Sequence, residues 1–436
     1  MQQENLAKSA RAPLFQPKIL TTLRDYDRPT FLADILAGLT VALVALPLSI
    51  AIAIASGAEP GAGLVTAVIA GFVISALGGS RVQIGGPTGA FIVVVYGVIA
   101  AHGYDGLVTA TLMAGIILVV SGWLRIGNLI RHVPEPVING FTVGIAIIIG
   151  VSQLRDAFGL QAESLPAEFV AKLEGMWAVR ETFNLTALMV TLGTGILIVL
   201  LRRMAPRLPG IIFAVILASL AVWAFDLPVD TIGSRYGEIQ SSLPAPRLPD
   251  LSPEKLVELF PSAVVIAFLA GIESLLSAIV ADRMVAGRHR PNAEVVAQGI
   301  ANTASALFAG LPATGAIART ATNVRAGGRT PVAGIAHAMF ILVFMLVAAP
   351  LAGYLPMPAL GAILLLTAWN MAEVHELKVR LAPSVRVADR ALLVLTMALT
   401  VLVDLTVAIG IGVAIGLALR LRRREAEPPE WHAPDR

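Results

Sequence analysis

Cysteine is absent from this 436-residue chain, and charge is scarce. Without a thiol there is no disulfide framework, no thiolate metal site and no cysteine nucleophile. Lys, Arg, Asp and Glu together make up 14% of the residues, against about 25% in an average soluble domain. That is too little polar material to cover a water-soluble enzyme, and the composition is equally far from that of a disordered chain. What is plentiful is apolar: 56% of the residues are hydrophobic, and there are 39 glycines and 27 prolines. The mean hydropathy is +0.80. Glycine and proline at this level suit membrane helices better than soluble ones.

A spanning helix needs roughly 20 apolar residues. Uncharged windows run over Ile35–Ala58, Val82–Tyr104, Gly106–Leu124, Pro136–Leu154, Thr182–Leu201, Leu208–Phe225, Leu259–Ile272, Val295–Ala318, Pro331–Ala372 and Ala391–Val403. Glu59 and Pro60 separate the first from a further span near 63–77, and Pro356 and Pro358 split the longest window. Divided at such breaks, the chain yields fourteen segments, centred near residues 45, 70, 94, 114, 146, 192, 217, 270, 301, 320, 340, 363, 395 and 413. Those near 94 and 320 are too short to cross unaided.

Basic residues follow every even-numbered segment. Among them are Arg125 and Arg131 after the fourth, then Arg202, Arg203 and Arg207 after the sixth, then Arg283, Arg288 and Arg290 after the eighth. Lys378, Arg380, Arg386 and Arg390 follow the twelfth, and Arg420, Arg422, Arg423 and Arg424 the last. The long odd-side loops near 155–181 and 226–258 mix both signs. By the positive-inside rule both termini are cytoplasmic. Residues 1–29, with Lys8, Arg11, Lys18, Arg24 and Arg28 ahead of the first apolar run, read as a cytoplasmic tail rather than a signal peptide. The pI of about 9.4 is thus a matter of topology, and there is no basic patch for a nucleic-acid partner.

An internal repeat is visible. Gly85-Gly86-Pro87-Thr88-Gly89-Ala90-Phe91 resembles Gly310-Leu311-Pro312-Ala313-Thr314-Gly315-Ala316-Ile317, with the Thr-Gly-Ala triplets 226 residues apart (314 minus 88). Both copies open the two shortest segments, the third and the tenth. An offset of seven divides fourteen segments into halves of seven, and an odd number per half forces the second half to insert upside down, the inverted-repeat architecture of secondary transporters. Gly and Pro should start each short helix midway through the bilayer, after an extended piece. Such pieces need partners; Val82–Gly85 is expected to pair with Ala309–Pro312. Each half-helix then points a positive N-terminus and free N–H groups at the midplane, which suits an anion.

Two ionisable residues lie deep in apolar sequence. Arg319 follows Thr314 by five residues, about 7 Å along a helix. An intramembrane arginine costs at least ~2.5 kcal/mol and is a functional candidate by default. It places a permanent positive charge by the tenth half-helix; the alternative is pairing with a carbonyl or with Glu273. Glu273, in the middle of the eighth segment, is a candidate proton carrier or cation ligand, unless it is salt-bridged to Arg319. In the first segment Pro47 should loosen the helix, and Ser49 offers a hydroxyl to the site. The six histidines (102, 132, 289, 337, 375 and 432) show no metal spacing. His337 reads as core packing before proton relay. Asp34 and Asp404 read as helix caps, and Gln298 and Asn302 as interhelical glue. Gly85–Gly89 is not a nucleotide loop, since no Gly-Lys-Ser/Thr follows, and no Ser/His/Asp set converges. Neither a cofactor, a metal nor an enzymatic activity is expected.

Four stretches, Leu36–Ala42, Gly85–Phe91, Pro134–Gly144 and Asn292–Gly334, resemble the sulfate permease family of anion transporters, the solute carriers that include prestin. The resemblance implies an all-α polytopic membrane protein, with fourteen transmembrane segments in a 7+7 inverted repeat. Segments 1–4 and 8–11 would form a core domain and segments 5–7 and 12–14 a gate domain, moving elevator-fashion in a homodimer. It implies a substrate site at Thr88, Gly89, Ala90 and Phe91 with Gly315, Ala316, Ile317, Ala318 and Arg319, and it matches Glu273 to the family's acidic position. Two departures stand out. Leu48 replaces the Gln or Glu usual after the first-segment proline, which weakens the case for sulfate. The chain also stops twelve residues after Arg424, where the family continues into a cytoplasmic STAS domain. The expected organisation is a tail at 1–29, a first repeat at 30–227, an extracytoplasmic loop at 228–253, a second repeat at 254–424, and a linker at 425–436 toward an absent C-terminal STAS domain, with truncation favoured over a member that lacks it.

The functional expectation is a bacterial inner-membrane symporter of small anions and protons, with a dicarboxylate such as fumarate ahead of bicarbonate, sulfate and chloride. The rivals are a nucleobase–proton symporter of the same architecture and an anion channel.

Overall fold

The structure, a computed structural model, describes residues 15–24, 26–125, 134–162, 165–205, 209–285, 287–403 and 405–423. The tail up to residue 14, Arg131, His132, Arg207, Asp404, Arg424, His432 and the 425–436 stretch lie outside these.

Fourteen segments appear where the hydropathy places them. They are α1 (Arg28–Ala55), α2 (Pro60–Leu77), α3 and α4 (the two parts of Ile92–Trp123), α5 (Glu135–Ser152), α6 (Leu185–Met204) and α7 (Gly210–Ala224). The second half supplies α8 (Pro253–Val285), α9 (Pro291–Leu307), α10 (Ile317–Arg325), α11 (Pro331–Ala348), α12 (Met357–Ala372), α13 (Val387–Leu402) and α14 (Leu405–Arg423). Among the described residues, eight helices are long and apolar enough to cross a membrane alone; one of them holds both α3 and α4. The break between α3 and α4 is Gly103, at φ +70° and ψ 179°, a conformation that costs a residue with a Cβ far more than it costs glycine. Pro47 does not interrupt α1, which runs on as one helix of 28 residues.

The helices pack in two groups. In the first, α1 and α2 lie against α11, α2 and α4 against α9, and α8 against α10 and the α3–α4 helix. In the second, α5 packs on α12, α13 and α14, and α6 on α7 and α12. Helices α7 and α12 touch α1 across the boundary. The two halves of the chain interleave within each group, as an inverted repeat requires.

Asp34 caps a helix, but across the fold rather than on its own segment. It is fully buried in α1. Its carboxylate accepts from the Arg329 and Thr330 backbone N–H groups (2.7 and 3.2 Å), from the Thr330 hydroxyl, and from the Tyr26 hydroxyl (3.1 Å). Thr330 is the N-cap of α11, so Asp34 satisfies donors that a helix start leaves free. Asp34→Ala is expected to cost about 2 kcal/mol, seen as a fall of several degrees in the apparent Tm of the detergent-solubilised chain.

Candidate functional site

The two Thr-Gly-Ala copies meet in the first helix group. β1 (Gly85–Gly86) and β2 (Thr314–Gly315) form an antiparallel pair, with Gly85 opposite Gly315 and Gly86 opposite Thr314. The expected pairing with Ala309–Pro312 is therefore corrected: the second strand lies nearer α10. The cause is local. Gly310 N–H donates to the Ser305 carbonyl (2.7 Å), and Leu311 N–H to the Thr66 hydroxyl (2.7 Å). Asn302 holds both the N–H and the carbonyl of Ala313, each at 2.8 Å. The first free extended backbone is then Thr314–Gly315. Asn302 is glue, as expected, but what it fastens to its own helix is Ala313, the residue before β2.

Helix α10 completes the hydrogen bonding of the first strand. Asn323 Nδ2 donates to the Val82 carbonyl (2.8 Å), Ile84 N–H donates to the Thr320 hydroxyl (3.1 Å), and Ala316 N–H donates to the Ile84 carbonyl (2.8 Å). Non-helical backbone is thus held by partners from α10 and from the opposite strand, the condition under which it is tolerated at membrane depth.

From this crossing the two short helices diverge. Thr88 leads into the turn Gly89–Phe91 and then α3, while Ala316 is the N-cap of α10. Gly89, Ala90 and Phe91 are buried, and Gly89 faces Met371 and Thr367 of α12 and Ile149 of α5. The start of α3 therefore sits at the boundary between the two helix groups. Gly315 and Ala316 are also buried, Ile317 is half-buried, and Ala318 is exposed.

Arg319 is 1% exposed. It reaches α1, donating to the Ser49 hydroxyl (3.0 Å), and lays Nη1 against Gly86, 2.1 Å from where a Cβ would stand. Its Nε and Nη1 have no hydrogen-bond partner in the structure. Glu273 is half-buried and accepts from the Thr88 hydroxyl at 2.9 Å. Among the described residues neither Glu273 nor Arg319 is in an ion pair, so the alternative of a permanent bridge between them is excluded. Ser49, Thr88, Gly315, Arg319 and Glu273 thus converge, Ser49 on the arginine and Glu273 on the threonine. His337 is buried in α11 with both ring nitrogens unpartnered.

Sequence reasoning missed Gln83, Ser274, Glu294, Thr320 and Asn323. Each is polar and buried. Gln83 stands two residues before Gly85, and Ser274 is next to Glu273, so proximity to the motifs was the available signal. Away from the site, a cavity of about 290 Å³ is lined by Asp156, Asn184, Asp230 and Arg235. Its arginine is already bridged to both aspartates, at 2.6 and 2.9 Å.

Interleaved halves, crossed strands and two facing half-helices define the class: a multi-pass membrane transporter. The chain belongs to the sulfate permease family, which matches residues 31–398. It is 43% identical to the putative sulfate transporter YvdB of Bacillus subtilis (strain 168) over 380 residues, 87% of this chain and 71% of the relative. It is 36% identical to the bicarbonate transporter BicA of Synechocystis sp. (strain ATCC 27184 / PCC 6803 / Kazusa) over 341 residues, 76% of this chain and 59% of the relative. The transmembrane domain of a cyanobacterial BicA matches with a TM-score of 0.79 at 32% identity, covering 88% of this chain and 98% of that one. SLC26A9 matches with 0.84 at 19% identity, covering 97% and 70%, a likeness of fold. The family and these relatives are transporters, not enzymes.

Proposed function

We propose that the chain is a secondary active transporter of a small anion, bound between the N-termini of α3 and α10. The observation that carries this reading is the crossing of β1 and β2, which brings two positive helix ends together with an unpaired Arg319 behind them. Thr88–Phe91 and Gly315–Arg319 line the site, with Ser49 orienting the guanidinium. The relatives' names put sulfate and bicarbonate first among substrates, with fumarate-like dicarboxylates, favoured by Leu48, and chloride behind. Nucleobases do not suit a site with an unpaired guanidinium.

Glu273 carries the coupled proton: it is bound to the site's own Thr88, at the boundary between the helix groups, and among the described residues it is in no ion pair. Movement is elevator-like, with α1–α4 and α8–α11 as core and α5–α7 and α12–α14 as gate. The repeats are 30–227 and 254–424, joined by an extracytoplasmic loop at 228–253. The protein works as a homodimer in a bacterial inner membrane, both termini in the cytoplasm.

The test is uptake into proteoliposomes of labelled bicarbonate, sulfate, fumarate and chloride, with and without an inward proton gradient. Saturable uptake of at least one anion, accelerated by the gradient, is expected. Glu273→Gln should retain anion binding and lose the gradient response. No response to the gradient for any anion removes the symport mechanism, and non-saturating flux makes the protein a channel.

A further inference from the structure

The carboxylate of Glu294 is fully buried in α9, and among the described residues it has no cationic partner. Three donors from three elements hold it. Gly79 N–H, after α2, donates to Oε2 at 2.8 Å; the Ser274 hydroxyl of α8 donates to Oε1 at 2.8 Å; Gln298 Nε2, one turn along α9, donates to Oε1 at 2.9 Å. A buried carboxyl group without a counter-charge needs such bonds, and the Gly79 N–H and the Gln298 amide nitrogen can only donate to it.

The Ser274 hydroxyl donates to Glu294, and the serine oxygen is left to accept. What it accepts is Gln83 Nε2, at 2.9 Å; the same nitrogen reaches the Ser274 carbonyl at 3.2 Å. Donation runs one way, from Gln83 to Ser274 to Glu294, and it allows one orientation of the Gln83 amide. In that orientation Nε2 lies on Gly315 of the opposite strand, 1.5 Å from where a Cβ would stand. Two consecutive residues of α8 thus hold the first strand from both sides: Ser274 through Gln83, and Glu273 through Thr88.

We propose that Glu294 is a positioning residue which, through Ser274 and Gln83, fixes how β1 lies on β2, and hence the spacing of the two helix ends, without touching the anion. This rests on the reading that the anion sits between those ends. Glutamine at 294 has the right shape, but its NH2 group would face the Gly79 N–H if it takes the place of Oε2, or both Ser274 and Gln298 if it takes the place of Oε1. In the second placement the serine hydroxyl loses its acceptor, and the Gln83 amide is held by the Ser274 carbonyl alone.

The experiment compares Ser274→Ala, Ser274→Thr, Glu294→Gln and the double variant Ser274→Ala/Glu294→Gln in the full chain. Uptake of labelled sulfate and bicarbonate is read as KM and as Vmax per folded transporter. Backbone hydrogen exchange is followed over residues 82–88 and 313–317. The Ala and Gln variants should raise KM about 10-fold at a Vmax within about twofold of the parent, the pattern of weakened binding. The double variant should be no worse than either single, as for residues acting as one unit, and Ser274→Thr, which keeps the hydroxyl, should behave as the parent. Exchange should rise in both strands and not in α6. Parental KM and parental strand exchange in Ser274→Ala would overturn the proposal, as would additive losses of stability with no change in KM. If the parent chain transports none of sulfate, bicarbonate, fumarate and chloride, the anion reading fails, and strand exchange alone decides the positioning role.

Discussion

Arg319→Ala is expected to lower kcat/KM for the transported anion on the order of 100-fold, equivalent to about 3 kcal/mol. The residue is 1% exposed with two unpartnered nitrogens. An unpaired buried guanidinium is tolerable only where something negative comes to it. The helix ends remain in the variant, so residual binding is expected, with KM rising more than Vmax falls. Arg319→Lys should recover part of the loss: an ammonium restores the charge but cannot both reach Ser49 and cover Gly86. Ser49→Ala removes one acceptor and should cost about 3-fold to 10-fold in KM, within the range of a single hydrogen bond. Uptake by Arg319→Ala within threefold of the parent would take the arginine out of the site and leave the helix dipoles to bind the anion alone. Thermal unfolding of the same variants separates binding from folding, because removing an unpaired buried charge should not lower Tm.

The parts of this site that could be read in advance share one property: they depend on local pattern. Span positions follow from apolar length, the inverted repeat from two copies of Thr-Gly-Ala, and the importance of Glu273 and Arg319 from the cost of charge in the membrane. What could not be read depends on contacts between residues far apart in the chain. Asp34 lies 296 residues from the Thr330 that it caps. Gln83 is 191 residues from Ser274, and Ile84 is 236 from Thr320. The strand register was misplaced for the same reason: Thr66 and Asn302 occupy the backbone of 311–313 before β1 can reach it. In the sequence Glu294 is only the charge that precedes the Val295–Ala318 window. Only the fold shows that its carboxylate turns inward, to Gly79 and Ser274.

Gly86→Ala is expected to abolish uptake and to reduce the yield of folded protein, whereas Gly315→Ala is expected to be repairable. At Gly86 two obstacles add. The backbone has φ +148°, a region that L side chains rarely adopt, with strain on the order of 1–3 kcal/mol. The new methyl would also stand 2.1 Å from Arg319 Nη1. Removing the arginine cures the second obstacle and not the first, so Gly86→Ala/Arg319→Ala should remain poorly folded. Gly315 has no positive φ; its methyl meets Gln83, at 1.5 Å from Nε2 and 2.6 Å from Cδ. Shortening that side chain clears the space, so Gly315→Ala/Gln83→Ala should recover folded yield relative to Gly315→Ala alone. It should not recover KM, because the tie between Ser274 and the first strand is gone. Monodispersity by size-exclusion chromatography and uptake kinetics on the four variants read these two effects separately. Recovery of Gly86→Ala by loss of Arg319 would show that contact, rather than backbone conformation, requires glycine there.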